Sequence, residues 1–181
     1  MDFVWKDYPA QYETEIESWC DEPAIRFALD EDSVIAEHKW YLNSDKYVHN
    51  ENYFCKVVLD DTTPVALFML AVFRDEARKF LSESIVYLDT LIINPTLRNQ
   101  NFGSRIIADV IQNAEQIIGS RSNIFISQIR KDNGTAIKLA TRLGFHLVCT
   151  ETEKNHDWFD WVYPASKADR FLAYRENSAK I

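Results

Sequence analysis

Residues 84–118 constrain this chain more than any other stretch, because they read as one strand, one tight loop and one amphipathic helix in immediate succession. "SIVYLDTLIIN" (84–94) is rich in β-branched residues, which suit a pleated surface. Pro95 ends it, since proline has no N–H to give to a ladder. From about 103 to 118 the apolar residues Ile106, Ile107, Val110, Ile111, Ala114, Ile117 and Ile118 recur at three-to-four spacing, which predicts a helix with one broad apolar face. Gly119 follows where a helix C′ residue belongs. Between strand and helix lies "LRNQNFGS" (97–104). The first N–H groups of a helix have no intrahelical partner and the dipole is positive there, so a pyrophosphate is the natural guest of such a loop. An ordinary β–α turn is the alternative. A Walker loop would require Gly-Lys-Ser/Thr, and here the residues are Gly103-Ser104-Arg105. A dinucleotide fingerprint requires three spaced glycines, and this loop has one.

The rest of the chain supplies elements around this unit. "FVWKDY" (3–8) reads as a strand, 11–20 as a helix, 23–29 as a helical turn or two and 33–43 as a helix with Asp32 or Ser33 at its N-cap. "NYFCKVVL" (52–59) and "PVALFMLAVF" (64–73) are two strands whose "DDTT" connection makes a hairpin. Strand 123–129 precedes helix 133–143, where Gly144 supplies C′ and Phe145 the apolar C″ residue of a Schellman motif. Strands 145–152 and 157–163 and a helix over 166–177 finish the chain. The order β-α-α-β-β-β-α-β-α-β-β-α predicts an α/β chain with a mixed sheet, an antiparallel hairpin first and βαβ crossovers later. All four glycines (Gly103, Gly119, Gly134 and Gly144) fall in the second half, where special backbone geometry is therefore expected.

The length of 181 residues fits one domain. The formal charge of -8, from 28 acidic against 20 basic residues, argues against a nucleic-acid surface and favours a cationic partner through steering. No signal-peptide pattern opens the sequence, and its apolar runs stop short of a membrane span. Cys20, Cys55 and Cys149 are isolated from one another, which suggests reduced thiols in a cytoplasmic protein. His38, His49, His146 and His156 show no metal-ligand spacing, so no metal is expected.

Two spaced signatures give the chain a family resemblance. The loop Arg98-Asn99-Gln100-Asn101-Phe102-Gly103 is similar to the Gln/Arg-x-x-Gly-x-Gly/Ala pattern of the GNAT superfamily of N-acetyltransferases. "NGTAIKLATRLGF" (133–145) matches that family's Asn-x-x-Ala-x-x-x-Tyr-x-Lys/Arg-x-Gly-Phe at Asn133, Ala136, Arg142, Gly144 and Phe145. "LDTLIINP" resembles its fourth strand, and the likeness covers residues 84 to 163. It implies a single GNAT-like domain over 1–181, with a central mixed sheet of about six to seven strands and helices on both faces. It implies acetyl-coenzyme A as cosubstrate. Backbone groups of Leu91 and Ile93 would pair with the pantetheine amides, and Arg98, Asn99, Gln100, Asn101, Phe102, Gly103 and Ser104 would cradle the pyrophosphate. Asn133 would bond near the pantetheine arm, with Ala136 beside it, and Arg142 would contact phosphate or remain a solvated helix-end charge. The basic residues Arg98, Arg105, Arg130, Lys131, Lys138 and Arg142 concentrate in this same half.

The chain departs from the pattern in three places. Asn101 replaces the first loop glycine; asparagine tolerates the left-handed backbone region best among non-glycine residues, so the loop is expected to survive. Ala140 stands where many members carry a tyrosine that protonates the leaving thiolate, which leaves Tyr163 or Cys149 as substitute donors. Gln128 stands where some members have a catalytic glutamate, and Asp89, on the strand face of Tyr87, Leu91 and Ile93, is the expected base. Glu83, His156 and Asp157 are weaker candidates. Proximity and a strand N–H for the oxyanion supply much of the chemistry without these groups.

The expected function is transfer of acetyl to a primary amine of a small molecule or peptide by direct attack. Trp40, Tyr41, Trp158 and Trp161 would line the acceptor pocket or serve core or dimer packing. A homodimer is compatible with this reading; nucleic acid and membrane are not expected partners. The alternatives are an acyl-coenzyme-A-binding sensor of the same fold and a nucleotide-binding regulator.

Overall fold

The computed structural model describes residues 3–8, 12–20, 53–73, 84–153 and 156–178. The expected helices at 23–29 and 33–43, and Glu83, Trp40 and Tyr41, lie outside the described residues. The elements are β1 (Val4–Asp7), α1 (Glu13–Cys20), β2 (Tyr53–Asp60), β3 (Thr63–Phe73), β4 (Ser84–Ile93), a 3-10 turn (Pro95–Leu97), α2 (Phe102–Ile118), β5 (Ser122–Arg130), α3 (Gly134–Arg142), β6 (His146–Glu153), β7 (His156–Tyr163), a 3-10 turn (Ala165–Lys167) and α4 (Ala168–Ser178). The strands form one seven-stranded mixed sheet in the order β1-β2-β3-β4-β5-β7-β6. The sequence expectation of a mixed sheet therefore holds, and the described elements start and stop close to their expected bounds. Contacts divide the chain into two compact units, Met1–Ala71 with Asp89–Asp109, and Val72–Leu88 with Val110–Ile181.

In the first unit, β2 and β3 form the expected hairpin, with Asp60 paired to Thr63. Asp61 takes φ 59, the sign that two-residue hairpin turns demand and that aspartate tolerates. Val65 to Leu70 are all buried, so β3 is covered on both faces, as its unbroken apolar run requires. A core of Tyr8, Ile16, Trp19, Cys55, Val57, Leu59, Leu67, Met69 and Ile92 joins α1 to the hairpin and β4. Ile16 and Trp19, three apart, are the α1 residues that enter it, one helical face burying about 1.5–3 kcal/mol per large side chain. The indole N–H of Trp5 on β1 donates to Asp109 Oδ2 at 2.7 Å.

In the second unit, β5 pairs antiparallel with β7 from Phe125↔Tyr163 to Arg130↔Trp158, and β7 pairs with β6. Ile85, Ile124, Val162 and Phe171 form its core, with Ile126 and Val148 against it. The expected apolar face of α2 is realised: Ile106, Val110, Ala114, Ile117 and Ile118 are buried, while Ile107 and Ile111 are half-buried. Asn113 breaks the helical dihedrals at φ -124, ψ 21, a kink that the apolar periodicity alone does not show. Gly119 follows at φ 67. The end of α3 is a complete Schellman motif, with Gly144 N–H on Thr141 O and Phe145 N–H on Ala140 O, both at 3.1 Å.

Candidate active site

The first unit carries the loop. Asn94, buried at the end of β4, fixes its start. The Asn94 N–H donates to Val65 O on β3 at 2.9 Å, and its side-chain Oδ1 accepts from Thr96 N–H at 3.1 Å and Thr96 Oγ1 at 2.8 Å. This Asx cap starts the 3-10 turn, with Pro95 at the first position, where its missing N–H costs nothing. Strand alternation then has a consequence for β4. Because Asn94 points its peptide group toward β3, Ile93 and Leu91 point theirs to the opposite edge. Tyr87, Asp89, Leu91 and Ile93 are all half-buried while Leu88 and Ile92 are buried, so the odd residues share a partly open face, as expected for Asp89.

After Arg98, the chain makes two left-handed turns. Asn99 has φ 64 and Asn101 has φ 65. Asn101 thus takes the conformation expected of it, and Asn99 does the same work two residues earlier. Gly103 is not among the positive-φ residues; it lies in the first turn of α2, so no left-handed angle demands a glycine there. The first i→i−4 bond of α2 is Arg105 N–H to Asn101 O at 3.2 Å, so Phe102, Gly103 and Ser104 form the turn ahead of it, where peptide N–H groups point out of a helix end. Asn99, Gln100 and Asn101 are exposed and Gly103 and Ser104 half-buried, so a ligand can reach this backbone.

Arg105 adds a cation held in place. Its guanidinium lies 4.9 Å from the Phe3 ring centroid and 5.1 Å from that of Phe102. Such stacking restricts the side chain while leaving its N–H edge for hydrogen bonds. The sequence carries no signal for Phe3 in this role, because it shares no local pattern with the distant Arg105 and Phe102; only the pairing of β1 into the sheet brings it there.

The second unit carries the other signature. Asn133 is the N-cap of α3, its Oδ1 accepting from Ala136 N–H at 3.1 Å. The Asn-x-x-Ala spacing is thus a capping arrangement, which occupies the side-chain oxygen of Asn133 and holds Ala136 half-buried. Arg130, buried at the end of β5, grips Asp132 with two bonds, Nε–Oδ1 at 3.1 Å and Nη2–Oδ2 at 2.7 Å. Its charge therefore serves the turn before Asn133, while Lys131, Lys138 and Arg142 are exposed. Arg142 occupies the last turn of α3, and Ala140 is buried.

Gln128 donates Nε2 to Asp160 Oδ1 at 3.3 Å. Asp160 is buried, and sequence reasoning missed it because an aspartate in an aromatic strand has no motif around it. The Tyr163 ring sits 5.4 Å from Phe145 and 6.4 Å from Phe125, at the end of β7. The side chains of Cys149, His156 and Asp157 lie outside the described ones. The parallel β4–β5 ladder runs from Ser84↔Ser122 to Tyr87↔Ile126 and ends there. At that point the Ser127 hydroxyl donates to Leu88 O at 3.0 Å. Among the described residues no group of three or more His, Cys, Asp or Glu is placed to hold a metal, and no helix is long and apolar enough to cross a membrane.

No curated protein sequence matches. Among solved structures, the chain is similar to an aminoglycoside N(6')acetyltransferase from Legionella pneumophila, at 15% identity and TM-score 0.69, over 90% of this chain and 92% of that one. It is similar to spermidine N-acetyltransferase from Vibrio cholerae, solved with coenzyme A and spermine, at 15% identity and TM-score 0.67, over 92% and 97% of the two chains. It is also similar to aminoglycoside acetyltransferase AAC(6')-Ib, solved with coenzyme A, at 10% identity and TM-score 0.67, over 93% and 98%. At these identities the likeness shows the fold. A family model described as acetyltransferase (GNAT) family matches residues 4–145, most of the chain, and the chain belongs to that family.

Proposed function

We propose that this protein is an acetyl-coenzyme-A-dependent N-acetyltransferase that moves the acetyl group directly to a primary amine. The observation that carries the reading is the loop after β4, where Asn99 and Asn101 at φ 64 and 65 turn the chain so that the first turn of α2 is open to an anionic ligand. In this reading the backbone of Arg98 to Ser104 holds the pyrophosphate, and the peptide edge of Leu91 and Ile93 takes the pantetheine amides. Asn133, Ala136 and Arg142 belong to the cofactor-binding set. Because the family model runs from residue 4 to 145, through both compact units, the chain acts as one catalytic domain.

Asp89 is the base in this reading. It shares the half-buried β4 face with Tyr87 and Leu91, and a carboxylate there takes the amine proton directly or through water. The acceptor is a primary amine of a cationic small molecule or a peptide. The net charge of -8 favours approach of cations, and the solved relatives include enzymes named for aminoglycosides and spermidine. The wide sequence separation of Cys20, Cys55 and Cys149 fits a cytoplasmic setting.

Buried Ala140 leaves the donor of the family's acid step unfilled, and this favours a second reading, an acyl-coenzyme-A sensor that turns over poorly. Thiol release from acetyl-coenzyme A across a panel of polyamines, aminoglycosides and peptide amines separates the two. Amine-dependent release is expected; tight binding of coenzyme A without release would favour the sensor.

A further inference from the structure

The Arg105 guanidinium lies 4.9 Å from the Phe3 ring centroid and 5.1 Å from that of Phe102, and the two centroids are 6.3 Å apart. The three groups form a triangle, so the cation rests on both rings and keeps an open N–H edge. Arg105 is accordingly half-buried. A helical arginine readily pairs with a carboxylate one turn away. Here that carboxylate, Asp109, accepts the Trp5 indole N–H at 2.7 Å, and among the described residues no carboxylate pairs with Arg105. Long side chains lean toward the N-terminus of their helix, so Arg105 covers the turn that begins at Phe102. The cation therefore flanks the first turn of α2, whose peptide N–H groups point out of the helix end. Asn101 is exposed and Gly103 and Ser104 are half-buried, so the approach is open. The β1 segment, the loop and α2 as far as Asp109 all belong to the first compact unit.

Resting on the acetyltransferase reading, we propose that Arg105 selects the coenzyme by its ribose phosphate. The guanidinium binds the 3′-phosphomonoester of coenzyme A, and Phe3 and Phe102 hold it in place for that contact. In this reading the backbone of Arg98 to Ser104 takes the pyrophosphate at the helix end, which leaves the monoester as the remaining phosphate. A phosphomonoester is close to dianionic at neutral pH, and its oxygens are strong acceptors. Backbone N–H groups and a helix end match the more weakly charged diester, whereas a dianion calls for a full positive charge. The planar edge of a guanidinium meets two phosphate oxygens at once, a fork that a lysine ammonium lacks. Because the rings already restrict the side chain, less of its freedom is lost when the ligand arrives. The β1 segment thus contributes to coenzyme choice through Phe3.

Calorimetric titration with coenzyme A and with dephospho-coenzyme A, which lacks only that phosphate, tests this. The unmodified protein should bind coenzyme A about tenfold more tightly, the order for hydrogen bonds to a charged group at a half-exposed site. Arg105→Met should weaken coenzyme A binding about tenfold and leave dephospho-coenzyme A unchanged, so that the preference disappears. Arg105→Lys, with the charge but not the fork, should fall between. Phe3→Leu should lower the preference, and a preference equal to that of the unmodified protein overturns the part assigned to β1. In Arg105→Met, an equal loss for both ligands, or no loss for either, overturns the proposal. If the variants do not fold, phosphorus NMR of coenzyme A bound to the unmodified protein carries the test. The ribose phosphate should titrate at lower pH than in the free coenzyme, because a neighbouring guanidinium favours the dianion. An unmoved titration overturns the proposal. Failure of the unmodified protein to bind either ligand would overturn the acetyltransferase reading as well, whereas equal affinity for the two overturns this inference alone.

Discussion

The Trp5 indole N–H donates to the Asp109 carboxylate at 2.7 Å across 104 residues of sequence, tying edge strand β1 to the first half of α2. The same β1 segment brings Phe3 against Arg105. An otherwise short edge strand thus braces the helix whose first turn carries the proposed phosphate site. Trp5→Phe should lower stability by about 1.5–3 kcal/mol, the range for a hydrogen bond to a charged group, and nearer the lower figure because the pair is only partly buried. Denaturant unfolding measures this, with KM for acetyl-coenzyme A expected to rise more than kcat falls. A midpoint equal to wild type would remove the brace.

The loop makes opposite predictions at two neighbouring positions. Asn101→Gly should leave coenzyme A affinity intact or raise it, because glycine adopts φ 65 without strain. Asn101→Val should weaken binding about 5–30-fold, the equivalent of about 1–2 kcal/mol for a side chain forced into the left-handed region. Gly103→Leu should abolish binding by filling the approach to the backbone. Calorimetric titration with coenzyme A checks all three, and unchanged affinity in Gly103→Leu would sink the loop assignment.

Gly144 at φ 83 closes the Schellman motif of α3, and a Cβ there would meet only Tyr163 Cε2 at 3.9 Å. Gly144→Ala should therefore cost about 1–2 kcal/mol through backbone strain alone, with no steric clash. The denaturation midpoint should drop with an unchanged m value. A neutral result would mean that the motif relaxes.

The Arg130–Asp132 fork is asymmetric, with Arg130 6% exposed and Asp132 49% exposed. Asp132→Ala strips the anion from a buried guanidinium, whereas Arg130→Met strips the cation from a carboxylate that water can reach. The first should cost about 1–3 kcal/mol, between exposed and fully buried pairs, and the second less. Equal losses in thermal or chemical unfolding would contradict this.

Asp89→Asn should slow acetyl transfer and flatten the acidic limb of the pH–rate profile. A general base works only when ionised, so activity carried by Asp89 is lost as pH falls through its titration, and asparagine has nothing to titrate. A slowed enzyme with an unaltered profile would leave Asp89 a structural role only.

Much of this architecture was legible before any coordinates. The run from Ser84 to Gly119 announces strand, stop, loop, helix and C′ residue through β-branching, Pro95, isoleucine spacing and a glycine, all of which act within a few residues. Asn101 was legible for the same reason, because left-handed tolerance belongs to the residue. Asn133 was legible as a motif position, but its capping bond to Ala136 gives the spacing a local cause that family likeness alone did not supply. Asn99 was not recognised as a second left-handed residue, and neither Phe3 beside Arg105 nor buried Asp160 beside Gln128 was foreseen.

The sequence by itself determined the described elements, their order, the left-handed turn at Asn101 and the family, because periodicity, capping and turn preference depend on near neighbours along the chain. Only the tertiary structure decided which side chains are spoken for. Strand pairing and packing join residues far apart in number, so they alone reveal that Trp5 holds Asp109 and that the β4–β5 ladder stops at Tyr87 and Ile126. The same pairing buries Trp161 opposite Ser127, its N–H without a partner among the described residues, since burial and partnership are set by register and packing rather than by any local pattern.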